Sequence, residues 1–154
     1  VKAVVQRVTR AEVRVDGVPV GRIGRGLVVL VAVERGDGDA DVGAISHKLT
    51  ALRVFPGRTP MDRTLAEVGG GCLVVSQFTL AANLGKGNRP SFEPAEEPAP
   101  AEQLYLRLCA RLRAEGLPVE TGRFGADMEL ELVNDGPATF LLVTKGGALL
   151  KAAG

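Results

Sequence analysis

The chemistry open to a chain is bounded by its rarest reactive side chains. This one has a single histidine, His47, in the middle of a helical pattern with no nucleophile motif beside it. A Ser-His-Asp or Cys-His mechanism needs its base within hydrogen-bond reach of the nucleophile, so His47 reads as a helix-surface or core-edge residue. One histidine and two separated cysteines, Cys72 and Cys109, do not make a conventional zinc site. There is no P-loop and no G-x-G-x-x-G opening a helix after a strand. The expected reaction therefore uses no metal, no cofactor and no histidine. Two polar clusters remain. S76-Q-F-T-L80 ends an apolar strand in consecutive polar side chains, and N134-D-G-P-A-T139 separates two apolar runs. Read from chemistry alone, the first is a strand end and the second a connecting turn, since Asn, Asp, Gly and Pro favour turns on conformational grounds.

The elements that must position these clusters follow from periodicity. Residues 4–15 alternate polar with β-branched side chains, Asp16-Gly17 marks a hairpin, and 18–23 returns as a second strand. The unbroken apolar run 27–33 predicts a strand covered on both faces. Asp39 is the expected N-cap of a helix over 40–52, with Val42, Ile45, Leu49 and Leu52 on one face. A proline-rich loop spans 56–63, and Gly69-Gly70-Gly71 leads into a strand at 72–77. The stretch 81–100 is polar and rich in Pro and Gly, a long loop of the kind that is often functional. A second helix, from residue 99, has Pro100 in its first turn, carries Leu104, Leu108 and Leu112 and ends before Gly116. Strands follow at 119–121, 128–133 and 140–143. The expected fold class is α/β, with mostly antiparallel or mixed β-sheets forming a barrel-like or two-sheet layer, two helices packed on one side and no regular βαβ alternation. Residues 1–144 form the expected single domain, and 145–154 a C-terminal tail.

At 154 residues, the chain is long enough to bury a core without disulfide or metal staples. Its longest apolar run is far short of the roughly 20 residues that cross a bilayer, and no signal-peptide pattern opens it. Cys72 and Cys109 sit in apolar patterns and read as buried free thiols, which suits a reducing cytoplasm. A net charge of +1 does not announce a nucleic-acid binder, but it says nothing about charge gathered on one face.

The paired motifs S76-Q-F-T-L80 and N134-x-G-P-x-T139 resemble the signatures of the D-aminoacyl-tRNA deacylase family. Further matches occur in the family's order at Q6-R-V8, G85-K-G-N-R-P-S-F92 and T121-G-R-F-G-A-D-M128. A related family of animal tRNA editors carries Pro and Ala where Ser76 and Phe78 stand, so the chain resembles the main branch. It departs from the pattern at R58-T-P-M-D-R63, where a Gly-Lys-Met-Asn stretch is usual, and in the tail beyond residue 144.

The resemblance implies hydrolysis of D-aminoacyl-tRNA, and of mischarged glycyl-tRNA, by a homodimer. It implies a cis Gly136-Pro137 bond whose carbonyl oxygens enter the partner's site and exclude L-amino acids. It also implies a catalytic strand end of Ser76, Gln77, Phe78 and Thr79. Main-chain N–H groups around Phe78 and Thr79 would hold the oxyanion, and the ribose 2′-OH would orient water. Thr79 is either a nucleophile or a positioning group. Ser76 and Gln77 bind the terminal nucleotide or shape the pocket. Arg7, with Asn134 and Thr139, would support the Gly-Pro loop; a structural salt bridge is the alternative for Arg7. Lys86 and Arg89 are either phosphate contacts or solvated loop charges, and Phe92 and Phe124 either stack on bases or pack. Competing classes are a non-catalytic RNA- or DNA-binding module and a small-molecule-binding oligomeric domain.

Overall fold

Strand β3 (Gly26–Ala32, G-L-V-V-L-V-A) is buried along almost its whole length, and its neighbours follow from that. On one side it pairs antiparallel with β1 (Lys2–Val15), and on the other it pairs parallel with β4 (Gly71–Ser76). A parallel pair cannot be joined by a hairpin, and the link is helix α1 (Asp39–Ala51). The step repeats: β4 leads through α2 (Pro98–Ala114) to β5 (Val119–Thr121), again parallel. Two βαβ units are thus set in a mixed sheet that has no regular alternation along the whole chain, as expected. The rest is antiparallel, with β2 (Val18–Ile23) and β6 (Glu129–Lys145) both on β1 and β7 (Ala148–Leu149) on β6. The sheet order is β5-β4-β3-β1-β6-β7, with β2 off this path. This is a computed structural model describing residues 1–151; the last three residues of the expected tail lie outside the described residues.

Both helices cover one face. Ala3, Val5, Leu27, Val29, Val31, Cys72 and Val74 pack there against Ile45, Leu49, Leu108 and Leu112. The opposite face is covered by the sheet itself. Between two register shifts β1 turns Val8, and past them Ala11 and Val13, toward Val28, Leu73 and Val75, and Leu130 and Leu132 of β6 join them. Bulges of this kind change which side chains face inward and tighten the twist, so the sheet curls into a half-barrel. Gly21 shows how far it curls, since a Cβ there would lie 2.4 Å from the Thr121 carbonyl oxygen of β5.

Two boundaries differ from expectation. The acid that caps α1 is Asp41, whose Oδ2 accepts the Gly38 N–H at 2.9 Å, whereas Asp39 pairs with Arg111 of α2 at 2.8 Å. α2 begins at Pro98, one residue before the expected run, with Pro100 in its first turn as expected. A proline early in the first turn loses no hydrogen bond, because the N–H it lacks has no partner there.

Candidate functional site

Strands β3, β4 and β5 run parallel, so their C-terminal ends open on the same side, where open parallel sheets commonly bind ligands. β5 ends level with Val74, two residues before β4 does. From there the chain is held only by β3, through Gln77 N–H to the Val31 carbonyl at 2.7 Å. It then tightens into a 3₁₀ turn over Phe78–Ala81. The first donor bonded within that turn is Leu80 N–H to Gln77 O at 3.1 Å. The N–H groups of Phe78 and Thr79 precede it and have no partner inside the turn. The Gln77 side-chain amide donates to the Thr79 hydroxyl.

Clefts flank this strand end on both sides. One, of about 360 Å³, is lined by Ser76, Phe78, Phe92, Tyr105, Phe124 and Gly125. The other, of about 260 Å³, lies between Ser76, Gln77, Phe78 and the Gly125–Met128 segment. Phe78 is 60% exposed, with its ring edge-on to Phe92 at 4.9 Å. Phe124 leans on Tyr105 at 5.8 Å, so packing is the arrangement found for it. The Tyr105 hydroxyl donates to the Val74 carbonyl at 2.7 Å, just ahead of Ser76. Sequence reading passed over this residue, although a tyrosine on the apolar face of a helix signals a hydroxyl in need of a buried acceptor.

The second cluster is not a turn. β6 runs unbroken from Glu129 to Lys145, and both halves pair with β1: Thr139 opposite Gln6, Asn134 opposite Val8. Asp135 to Ala138 therefore stand opposite Arg7 alone, and the chain is thrown out of the sheet as a wide bulge. Proline brings no N–H to the ladder, and the Gly136-Pro137 peptide is cis. Gly136 has φ +121°, which favours glycine, and a Cβ there would meet the Arg7 guanidinium at 2.8 Å.

The bulge is tied from below and at its neck. Arg7 is 7% exposed; its Nε donates to the Asp135 carbonyl at 3.2 Å and faces the Asp135 carboxylate at 3.4 Å. Its other arm donates to the Val54 carbonyl at 2.7 Å, so support of the bulge and an ion pair are one arrangement. At the neck, Asn134 donates to the Thr139 hydroxyl at 2.8 Å and accepts the Ala138 N–H at 3.2 Å. Gly136 and Pro137 remain exposed at the tip.

Within one chain the two clusters are not brought together. Through the registers of β4, β3 and β1, Ser76 is level with Leu142 of β6, while the bulge is level with Cys72. That is three strand spacings across and four residues along, or about 14 Å and about 13 Å. Lys86 and Arg89 are exposed in a loop closed by Asn83 and Ser91, which exchange main-chain bonds of 2.7 and 3.0 Å.

His47 is exposed on α1. Burial pushes the Cys72 thiol up to about 12, with Cys109 nearby adding to it, and burial also raises Cys109. Neither thiol is poised as a nucleophile. Among the described residues, no group of three His, Cys, Asp or Glu side chains is placed to hold a metal ion. No helix among them is long and apolar enough to cross a membrane.

Residues 4–143 match the sequence profile of the family described as D-Tyr-tRNA(Tyr) deacylase. A protein of Anaeromyxobacter dehalogenans named D-aminoacyl-tRNA deacylase is 56% identical over 142 residues, covering 92% of this chain and 95% of the relative. One of the same name from Methylococcus capsulatus is 55% identical over 141 residues, covering 91% and 92%. Among solved structures, one described as "c-Myc DNA Unwinding Element Binding Protein" superposes with a TM-score of 0.88 at 36% identity, covering 95% of this chain and all of that one. Another, described as a probable eukaryotic D-amino acid tRNA deacylase, gives 0.76 at 22% identity over 91% and 97%, a likeness of fold alone.

Proposed function

This chain belongs to the D-Tyr-tRNA(Tyr) deacylase family, and from that premise we propose that it hydrolyses the ester joining a D-amino acid to the 3′ end of tRNA. Water adds to the ester carbonyl, and collapse of the tetrahedral intermediate releases free tRNA and the D-amino acid. The observation that carries this reading is the end of β4, where two main-chain N–H groups without partners in their own turn lie between two clefts. Donors of this kind, aimed at a developing oxyanion, typically contribute about 10²–10³ in rate. Phe78 and Thr79 supply them, Ser76 and Gln77 shape the pocket around the terminal nucleotide, and the ribose 2′-OH orients the water. Thr79, with no base at hand to activate it, positions the substrate. An aminoacyl ester is already activated, so no metal and no cofactor is needed.

Handedness is selected by exclusion. The exposed carbonyl oxygens of Gly136 and Pro137 face the substrate's α-carbon, where an L side chain would strike them and a D substrate presents only hydrogen. Glycine has nothing to strike them with, so glycyl-tRNA is cleaved too. The separation of bulge and strand end within one chain supports a gate lent by a second copy, hence a homodimer. The outer edge of β6, which among the described residues is paired only near its end by β7, and its exposed Val133 and Leu141 supply a surface for that partner. Lys86 and Arg89 contact tRNA phosphate beside the site, and the protein works in the cytoplasm.

The test is incubation of D-tyrosyl-tRNA and L-tyrosyl-tRNA with the protein and EDTA. Selective, chelator-resistant loss of the D-ester is expected. The structural relative described as a DNA-unwinding-element binding protein favours a second reading, nucleic-acid binding without hydrolysis. Binding of both tRNAs with neither ester lost would establish that one instead.

A further inference from the structure

The arginines on this surface fall into two kinds. On β1, β2 and β6 they form a neutralised ladder: Arg10 and Arg14 hold Glu131 at 2.8 and 3.0 Å, and Arg14 and Arg22 both hold Glu12. The loop after α1 is different. Arg25 lies over the Phe55 ring at 5.4 Å, and Phe55 exchanges main-chain bonds of 3.0 and 2.8 Å with Arg63. Arg58 lies between them in sequence. Asp62 faces Arg53 at 2.7 Å and accepts the Arg58 main-chain N–H at 2.8 Å. Arg25, Arg58 and Arg63 are exposed, and among the described residues none has a carboxylate within ion-pair distance. Arg25 and Arg63 thus lie at Phe55 and Arg58 sits in the same loop, with Asp62 near Arg63 offsetting part of their charge.

Their position matters as much as their charge. Val54, the residue before Phe55, accepts the same Arg7 side chain that holds the Asp135 bulge. The arginine loop and the bulge are therefore fixed to one another through one buried side chain. Guanidinium groups pair bidentately with phosphate, and an arginine-only cluster suits a phosphodiester backbone better than a diffuse lysine surface would.

We infer that Arg25, Arg58 and Arg63 form a docking surface for the acceptor-stem backbone of tRNA, set beside the Gly136-Pro137 bulge. This rests on the proposed function for the identity of the RNA, but the binding does not depend on hydrolysis. Whichever site the bulge enters, the surface arrives with it and grips the stem whose 3′ end lies there. It uses the segment in which this chain departs from the family's usual sequence.

The experiment compares wild type with Arg58→Ala/Arg63→Ala, using fluorescence anisotropy with uncharged tRNA and deacylation of D-tyrosyl-tRNA and of a D-tyrosyl-CCA trinucleotide. The expected results are a roughly tenfold weaker tRNA affinity and a log-affinity against log-salt slope shallower by about 1 to 2. The ratio of kcat/KM for full-length tRNA over the trinucleotide should fall about tenfold, through KM. Arg58→Lys/Arg63→Lys should keep most of the affinity, which separates lost charge from a damaged loop. An unchanged tRNA affinity and salt slope, or an equal loss on tRNA and trinucleotide, would overturn the inference. Should wild type bind tRNA but cleave neither ester, the deacylase reading fails, while the anisotropy comparison still decides this one.

Discussion

The end of β4 and the bulge of β6 are both places where a strand departs from its sheet, and they are built in opposite ways. At Ser76–Thr79 the neighbouring strand stops first, the chain is held on one side only, and clefts open on both flanks. At Asp135–Ala138 the neighbouring strand continues, and Arg7, Asn134 and Thr139 clamp the excursion from beneath and at its neck. The first arrangement leaves room and free donors, as a site that must admit an ester requires. The second leaves a fixed main-chain surface with nothing soft at its tip, as exclusion requires. The proposed selector would admit the wrong hand if it yielded.

The comparison is broken most severely by removing Arg7. Arg7→Ala leaves the Asp135 and Val54 carbonyls without their donor and opens a void beneath the bulge. A stability loss of about 3 kcal/mol is expected, seen as a lower urea midpoint. The ratio of D- to L-tyrosyl-tRNA cleavage should fall about 100-fold. Arg7→Lys should restore little of it, because one ammonium cannot span both carbonyls. A D/L ratio that survives Arg7→Ala would mean that the bulge needs no brace. Asn134→Ala tests the neck with a smaller cut. It removes the acceptor for Ala138 N–H and the donor to Thr139, for about 1–2 kcal/mol and a roughly tenfold drop in the D/L ratio, with kcat on the D-ester largely kept.

On the open side the contrast predicts tolerance. Thr79→Ala loses one hydroxyl from a site whose proposed work is done by main-chain donors, so kcat should fall only about tenfold. Removing a true nucleophile costs about 10⁶ in the best-studied hydrolase. A fall of that size in single-turnover kinetics, with the fold intact by circular dichroism, would move Thr79 from positioning to attack.

Much of this could be read in advance, for identifiable reasons. The apolar run at β3, the leucine spacing of α2 and the β1–β2 hairpin are local signals, and the structure has all three. The mixed sheet is legible as a class, but which strands run parallel is not, because periodicity names elements and does not say which of them pair. The bulge was read as a turn for a related reason: Asn, Asp, Gly and Pro signal that a chain leaves the extended state. Only pairing of both flanks with β1 shows that it resumes the same course. Asp39 reads as the cap because it stands just before the helical pattern, whereas the carboxylate that reaches back is that of Asp41. At the site, resemblance supplied the motif residues, but no motif could supply Val54, which acts through its carbonyl oxygen. Nor could it show that the two clusters sit far apart within one subunit.

The smallest expected effect concerns how firmly the far end of the braced strand is held. Asp41 accepts the Gly38 N–H at 2.9 Å and, through its other oxygen, the Gly147 N–H at 3.0 Å from the β6–β7 hairpin. Burial alone would raise its carboxyl, but the Gly38 and Gly147 N–H groups, with the Thr144 hydroxyl and the N-terminal ammonium, together hold it below the usual aspartate value. A lowered folded-state value means that the charged form contributes stability above the unfolded value of about 4. That contribution is lost as the pH falls through the folded one. Asp41→Asn keeps one acceptor and cannot titrate, so it should cost about 1 kcal/mol at pH 7. The gap from wild type should close as the pH is lowered from about 5 toward 2, because the protonated wild type loses the same charge. Urea midpoints for both proteins at pH 7, 4 and 2.5 read this directly, and titrations elsewhere cancel in the difference. A gap that stayed constant down to the lowest pH would mean that Asp41 holds the hairpin by shape rather than by charge. Clamping of β6 by fixed hydrogen bonds would then stop at the bulge.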